Sequence, residues 1–297
     1  MERERWTLIC RAVRQVGSQW IGSPLVDHST EKIVLVHLWS VSNDRPTCWA
    51  CERASWRGVR APRDLPDQST MSRRMRGQDF DCFLTRVGES LSAMDSLSKA
   101  DPLLRIVDGK PMEVALHTRD RDAQAGRGVG RVSKGYKLHA VWSGKPMPDA
   151  WAVTPLKTCE KKMARRLIPR LSGTGYLLGD ANYDASFLYD IARWRGLQLV
   201  CPRIKPGTGL GHGYQSSARL RAMDLLESPM ALNKFGPRLY ARRTDIERDF
   251  AHLSSFGGGL HHLPAWVRRP WRVRRWVHGK LLINAARIVL QRQKKVA

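Results

Sequence analysis

The first hundred residues carry apolar positions at helical spacing. The clearest stripe consists of Phe80, Phe83, Leu84, Val87 and Leu91, which recur at about 3.6 residues and lie on one face of a helix. A stripe of this kind needs a core to pack against. It predicts an amphipathic helix within a larger helical region.

A second apolar stretch, residues 31–41, is hydrophobic almost throughout and would also suit a buried strand. Its length and Ser29, a good N-cap residue, favour a helix. Pro46 is placed to open a second, short helix that reaches residue 53. Cys48 and Cys51 fall in it, and no second pair follows at zinc-ligand spacing, so we favour a helical turn over a metal site.

A short basic helix is predicted after a loop rich in proline. Ser69 can cap a helix over residues 70–76, which carries Arg73, Arg74 and Arg76. Such a helix, after a helix and a loop, suits a helix-turn-helix DNA reader; a solvated basic turn has the same pattern, and both interpretations stay open. We predict that residues 1–100 form a helical DNA-binding region and that the three arginines contact DNA.

From residue 103 the pattern changes to strands that alternate with helices. The glycine-rich residues 119–134 predict a hairpin loop, and the last part of the pattern follows a β-α-β-α-β order. That order implies parallel strands attached to an antiparallel hairpin, and therefore an α/β fold with a mixed sheet flanked by helices. The predicted strands are 104–108, 135–142, 149–154, 176–180 and 198–201, and the predicted helices are 160–171 and 185–195.

A basic insert, residues 203–238 with one helix near 216–227, precedes a helix with a distinct polar face. That helix is predicted to run from Tyr240 to Ser254. At about 100° per residue, four of its positions fall within an arc of about 60°, namely Tyr240, Arg243, Glu247 and Ser254. An apolar stripe beside the arc would rest on a core, which leaves one acid at the edge.

The charge of the chain points to a polyanionic partner. It has 51 Lys and Arg against 27 Asp and Glu, a net charge of +24, and ten of the cations follow residue 259 in a tail without acids. Such a surplus favours nucleic acid, because phosphate contacts release condensed counterions. No apolar run reaches membrane-spanning length and the first residues do not resemble a signal peptide. We expect a cytoplasmic, nucleoid-associated protein that binds double-stranded DNA and no membrane.

Two acids end predicted strands, Asp108 and Asp180. If those strands are neighbours and Glu247 joins them, three carboxylates meet at one edge of the sheet. Such a set suits two Mg²⁺ ions about 3.5–4 Å apart, with Mn²⁺ as a substitute, which cleave and transfer phosphodiesters. A lone aspartate at a strand end also caps turns, so the carboxylates alone only suggest this chemistry.

The order and the residue types of these segments resemble those of the DDE transposases of bacterial insertion sequences, in the branch with a Tyr-x₂-Arg-x₃-Glu-x₆-Lys signature. Tyr240, Arg243 and Glu247 match that signature in type and spacing. Asp108 followed by glycine resembles the first-acid segment, and Asp180 lies in a segment similar to the second. The resemblance covers residues 103 to 291 and includes 134–139 and the Gly-Gly-Leu that ends at 260.

The resemblance implies an RNase H-like catalytic core over residues 101–297, which includes the insert and a basic C-terminal helix. It implies metal-dependent cleavage and strand transfer at the ends of a mobile element, with Asp108, Asp180 and Glu247 as metal ligands. Arg243 would contact DNA near the scissile phosphate and Tyr240 would stack or bond beside it. Pairing two element ends with a target implies a homo-oligomer on DNA.

Two positions depart from the family pattern. Ser254 stands where the signature has lysine, and Arg248 or a tail residue would supply the missing phosphate contact. Asn182 replaces a glycine after the second acid, which we attribute to the tolerance of asparagine for positive φ. Two alternatives remain open, a DNA-binding protein without catalysis and a nuclease that cuts without joining.

Overall fold

The computed structural model describes residues 2–22, 26–95, 103–114, 118–210, 212–227, 234–256, 259–260 and 262–295, without the side chains of 245–249. Its contacts divide the chain into two units. The helical unit consists of Met1–Ser98 with His252–Ala297, and the sheet unit consists of Lys99–Ala251. The sequence placed the C-terminal segment with the sheet, whereas the contacts group it with the N-terminal helices.

The helical unit forms where the apolar stripes predict it. Ser29 caps α2 by accepting a hydrogen bond from the Lys32 amide at 3.3 Å, so the run that would also suit a strand is a helix. All five residues of the predicted stripe are buried on α5. The helices of this unit are α1 Glu2–Gly17, α2 Thr30–Ser42, α3 Thr47–Ala50, α4 Gln68–Arg74, α5 Gln78–Ala93 and α11 Pro270–Gln293.

Helix α4 begins two residues earlier than predicted, and Ser69 does not cap it. The cap is Asp67, whose carboxylate accepts from the Thr70 amide at 2.6 Å and from the Ser69 hydroxyl at 2.9 Å. A carboxylate is the stronger acceptor, so the serine becomes its donor. Residues 51–67 separate α4 from α3, far more than the three or four residues that join the helices of a helix-turn-helix.

Helix α11 is buried on most of its surface, and its cations are partly neutralised inside the helical unit. The ammonium of Lys280 is almost fully buried and donates to the Val41 carbonyl at 2.9 Å and to Asp44 at 2.5 Å. Among the residues that the structure describes, five of the ten tail cations pair with acids of this unit, namely Arg274, Arg275, Lys280, Arg292 and Lys294. Part of the charge of the acid-free tail therefore has a structural use inside the helical unit.

The sheet unit contains one mixed sheet. The strands are β1 Leu104–Glu113, β2 Gln124–Arg127, β3 Val132–Trp142, β4 Ala150–Pro155, β5 Gly175–Leu178 and β6 Leu197–Val200. Their order is β2-β3-β1-β5-β6, and β4 pairs with β3 on the same side as β2. Strands β1, β3 and β4 are antiparallel, whereas β1, β5 and β6 run parallel, which confirms the predicted mixed sheet.

Helices cover one face of this sheet. Their apolar residues form a buried cluster with the sheet, which includes Val107, Val141 and Leu177 from the strands and Leu167 and Leu188 from the helices. The helices are α6 Glu160–Leu167, α7 Ser186–Trp194 and α8 Ser217–Glu227. Strand β2 lies inside the predicted hairpin loop; it is mostly exposed, so no apolar alternation marks it. In the described part of the chain, no helix is both long and apolar enough to cross a bilayer.

Candidate active site

Two acids lie just beyond the point where two neighbouring parallel strands stop pairing. Ile106 on β1 pairs with Leu178 on β5, and Asp108 and Asp180 each follow two residues later. Side chains alternate between the faces of a strand, so both acids are directed to the face that carries Ile106 and Leu178. Adjacent strands are about 4.8 Å apart. The fold therefore brings the two sequence-predicted acids together.

Asp108 is half-buried at this edge, and its Oδ1 accepts a hydrogen bond from the Gly109 amide at 2.8 Å. Burial raises the pKa of Asp108 to about 6. The Gly109 amide and Arg243 oppose that rise, whereas Asp180 and Glu160 add to it. The carboxylate therefore lies in a poorly solvated site with an arginine and two other acids as charged neighbours.

Asp180 caps a short 3-10 turn, Ala181–Tyr183. Its carboxylate accepts from the Asn182 amide at 2.9 Å and from the Asn182 side-chain Nδ2 at 3.0 Å. The pKa of Asp180 is raised, first by burial and then by Glu160. Asn182 is not among the residues with positive φ, so our explanation of the missing glycine was wrong. Instead, the asparagine side chain orients the acid.

A salt bridge that the sequence did not reveal lies beside these acids. Nζ of Lys137 on β3 donates to Oε1 of Glu160, the first residue of α6, at 2.7 Å, and both side chains are mostly buried. A Cβ at Gly109 would lie 3.0 Å from that Oε1 and 3.1 Å from Cδ of Lys137. The glycine after Asp108 thus leaves room for the pair. Its partners are far apart in sequence, so only a fold could join them.

The predicted helix of the signature is two helices. The chain forms α9 Phe235–Ala241 and α10 Arg243–Ser254, with a turn at Arg242. Tyr240 is on α9, so the single arc that placed it with Glu247 and Ser254 is wrong. The pKa of Tyr240 is raised by burial, with an opposing effect from Arg243, which hydrogen-bonds its side chain. The two residues still meet, across the turn.

Arg243 opens α10 near both strand acids, since it lowers the pKa of Asp108 and of Asp180. Farther along α10, Phe250 is buried and packs edge-on against Trp142 of β3, with ring centroids 6.0 Å apart. Trp142 pairs with Ile106, on the sheet face toward which both acids are directed. Helix α10 therefore lies against the face that carries Asp108 and Asp180.

The third predicted acid lies on this helix, but its side chain is outside the described residues. Position 247 precedes Phe250 by three residues, a spacing that places the two on one side of a helix. Arg248 is likewise outside the described side chains. Ser254 is the half-buried last residue of α10. Among the described side chains, no three His, Cys, Asp or Glu form a group that could hold a metal ion.

The three arginines predicted to contact DNA differ in their surroundings. Arg73 is exposed. Arg74 donates to the His28 carbonyl at 2.8 Å and to Thr30 Oγ1 at 3.2 Å, contacts that tie α4 to the start of α2. Arg76 is exposed and lies over an indole ring of α11. Contact between DNA and these residues stays a prediction.

A mixed sheet with two acids beyond the paired ends of adjacent parallel strands, next to an arginine-bearing helix, suits an enzyme that acts on phosphodiesters. The model of one family, described as "Transposase DDE domain", matches residues 99–283, more than half of the chain. The chain belongs to this transposase family. Neither the curated proteins nor the solved structures compared with it gave a match.

Proposed function

We propose that this protein is an RNase H-like DDE transposase of the insertion-sequence branch with the Tyr-x₂-Arg-x₃-Glu signature. It would bind the ends of a mobile element, cleave them and join them to target DNA. The observation that carries the proposal is the register of β1 and β5, which puts Asp108 and Asp180 side by side. The strand arrangement, three antiparallel strands followed by two parallel ones with intervening helices, supports the RNase H-like assignment.

The donor set fits a hard divalent cation. Two carboxylates converge, and Asp180 raises the pKa of Asp108, so a bound cation would relieve their repulsion. Glu247 would complete the set from α10, where it lies one turn before the residue that anchors the helix on the sheet. When bound, Mg²⁺ or Mn²⁺ ions activate the attacking oxygen and stabilise the leaving oxygen of a phosphodiester.

The remaining residues of the site would handle the DNA. Arg243 is close enough to both acids to donate to a phosphate oxygen at the scissile bond. Tyr240 would hold that guanidinium in place from α9 through their hydrogen bond and contact the adjoining nucleotide. Arg248 would replace the lysine that is absent at Ser254. We further propose that two or more protomers assemble on DNA to pair the element ends.

The experiment is a cleavage and joining assay with a plasmid that carries the DNA flanking this gene on both sides, in Mg²⁺. The variants are Asp108→Asn, Asp180→Asn and Glu247→Gln, and the matched control is Asp224→Asn, an exposed acid of α8 in the same unit. We expect the three variants to lose cleavage at least 100-fold while gel-shift affinity stays within about threefold of wild type, and the control to be active.

The outcomes separate the alternatives. Cleavage without joined products in the wild type indicates a nuclease and overturns the strand-transfer proposal. Binding that survives in every variant, with no cleavage by the wild type, indicates a DNA-binding protein. Wild-type cleavage that persists in Asp108→Asn or Asp180→Asn would refute the assignment of these acids.

A further inference from the structure

We propose that the helical unit contains a phosphate-binding site at the beginning of α11, built around Arg275 and Arg272. The site is a cavity of about 190 Å³ whose lining includes these two arginines, His37, Arg45 and Trp271. At about 30 Å³ per water, this volume equals about six water molecules. It has room for a phosphoryl group. The inference does not depend on the metal chemistry proposed above.

The first observation is a buried donor without a protein acceptor. The Arg275 side chain is nine-tenths buried, and its Nη1 hydrogen-bonds no group in the part of the chain that the structure describes. Its only acidic neighbour there is Asp81, 3.8 Å from Nε, and Asp81 already accepts from Arg274 at 2.8 Å. Buried guanidinium donors are normally satisfied, so Nη1 calls for an acceptor in the cavity.

The second observation is a buried imidazole on the same cavity. His37 is 5% exposed, and neither of its ring nitrogens makes a well-formed hydrogen bond with a described residue. Its ring packs edge-on against Phe80 at 5.2 Å. Burial lowers the pKa of His37 to about 4, and a backbone interaction with Arg275 opposes that effect, so the ring is uncharged at neutral pH. The cavity wall thus combines a buried, uncharged ring from α2 with the unsatisfied guanidinium donor of Arg275 from α11.

The third observation is a convergence of like charges. The guanidinium groups of Arg76, Arg272 and Arg275 all lie over the ring of Trp271, 5.8, 4.8 and 4.9 Å from its centroid. The indole face attracts each cation, but the three cations repel one another. An anion bound among the three guanidinium groups would offset that repulsion.

The position at a helix start adds to the same field. The first turn of α11 contains no acid and has Pro270 at its first position. The N-terminal end of a 24-residue helix carries partial positive charge and ordinarily favours acids or bound anions. Here every charged residue of the first two turns is an arginine. An oxyanion with several acceptor oxygens, a phosphate or phosphodiester, matches this set of donors.

The phosphoryl group has two sources, free inorganic phosphate or the backbone of DNA, and calorimetry of the full chain distinguishes them. One arm titrates sodium phosphate and the other a 12-base-pair duplex without terminal phosphates. The variants are Arg272→Gln and Arg275→Lys. Arg272 is exposed, so its replacement leaves the fold intact. Arg11→Gln, which removes an equally exposed arginine of α1 in the same unit, is the control for net charge.

If the site takes free phosphate, wild type and Arg11→Gln bind phosphate with the same affinity. Arg272→Gln and Arg275→Lys each lower that affinity at least tenfold. For a backbone source, phosphate shows no heat, but Arg272→Gln weakens the duplex threefold or more beyond Arg11→Gln and lowers the salt slope by about one. Either result supports the site. It is overturned if the Arg272→Gln and Arg275→Lys variants match Arg11→Gln in both arms. Both arms contain no divalent metal, which separates this test from the proposed catalysis.

Discussion

The salt bridge between Asp184 and Arg219 ties the segment of the second acid to α8, and its removal is a sharp test of the fold at the site. Asp184 follows Asp180 by four residues. Its carboxylate accepts from Nε and Nη2 of Arg219 at 2.7 and 2.8 Å and from the Ile204 amide at 3.2 Å. The Asp184 side chain is 4% exposed and that of Arg219 is 14% exposed. Replacement of the arginine leaves a buried carboxylate short of its main partner.

The expected magnitude follows from that burial. Breaking a buried ion pair by removal of one partner costs about 3–5 kcal/mol. Arg219 keeps some solvent contact and Asp184 retains the Ile204 amide, so we expect Arg219→Gln to lower the free energy of unfolding by about 3 kcal/mol. Because the double variant Asp184→Asn with Arg219→Gln leaves no unpaired charge, it should lose less than the two single variants combined. Their coupling should be about 2 kcal/mol.

The assay is urea denaturation, combined with hydrogen exchange of the amides of α8. Burial alone would raise the pKa of Asp184, but the hydrogen bonds from Arg219 and Ile204 lower it below its ordinary value. A lowered carboxylate pKa stabilises the fold above the unfolded pKa, and the effect is lost as the pH falls through the folded value. The difference between wild type and Arg219→Gln should therefore shrink below about pH 4. A loss under 1 kcal/mol at pH 7, with unchanged exchange of α8, would refute the reasoning.

Three further predictions concern other parts of the structure. Glu160→Gln strands the mostly buried ammonium of Lys137 and should cost about 3 kcal/mol in urea denaturation, whereas a change under 1 would contradict the pairing. Gly236→Ala puts a Cβ 1.7 Å from a carbonyl oxygen of α8 and should destabilise by about 1–3 kcal/mol, unlike Gly213→Ala, where the space is open. Burial lowers the pKa of His37 to about 4, so the unfolded chain takes up a proton first as the pH falls from about 6.5, and this residue should cost about 3 kcal/mol of stability by pH 4. The pKa values of His139 and His278 are lowered as well, so His37→Leu should make the slope shallower by about that amount, and an unchanged slope would contradict the prediction.

Local patterns predicted much of the fold, because they report burial along one element. The stripe on α5 is confirmed since its spacing alone defines a face that must be covered. The two strands that carry the acids are confirmed, but neither ends at its acid: β1 runs on through Asp108 to Glu113, and β5 ends at Leu178, two residues before Asp180. The mixed sheet followed from the order of these elements. The sequence does not show that these two strands are neighbours, because strand pairing is a property of the tertiary fold. Their pairing could therefore only be assumed.

What the sequence missed depends on contacts between distant residues. Glu160 and Lys137 are an ordinary helix start and strand lysine until the fold pairs them. The turn at Arg242 contains no glycine or proline. The sequence pattern therefore predicted one continuous helix where the structure has two. Lys280 was counted with the other tail cations. Its partner Asp44 is distant in sequence, so no local pattern indicates that the two form a buried pair.

The central claim, that Asp108 and Asp180 together hold a divalent cation, is tested most directly by titration of the protein with Mn²⁺, followed by electron paramagnetic resonance without DNA. The wild type and the exposed-acid variant Asp224→Asn should bind Mn²⁺ alike. Asp108→Asn and Asp180→Asn should each weaken binding at least tenfold, because each removes one carboxylate from a shared site. If both variants bind Mn²⁺ as tightly as the wild type, the two acids do not form a metal site and the account is contradicted.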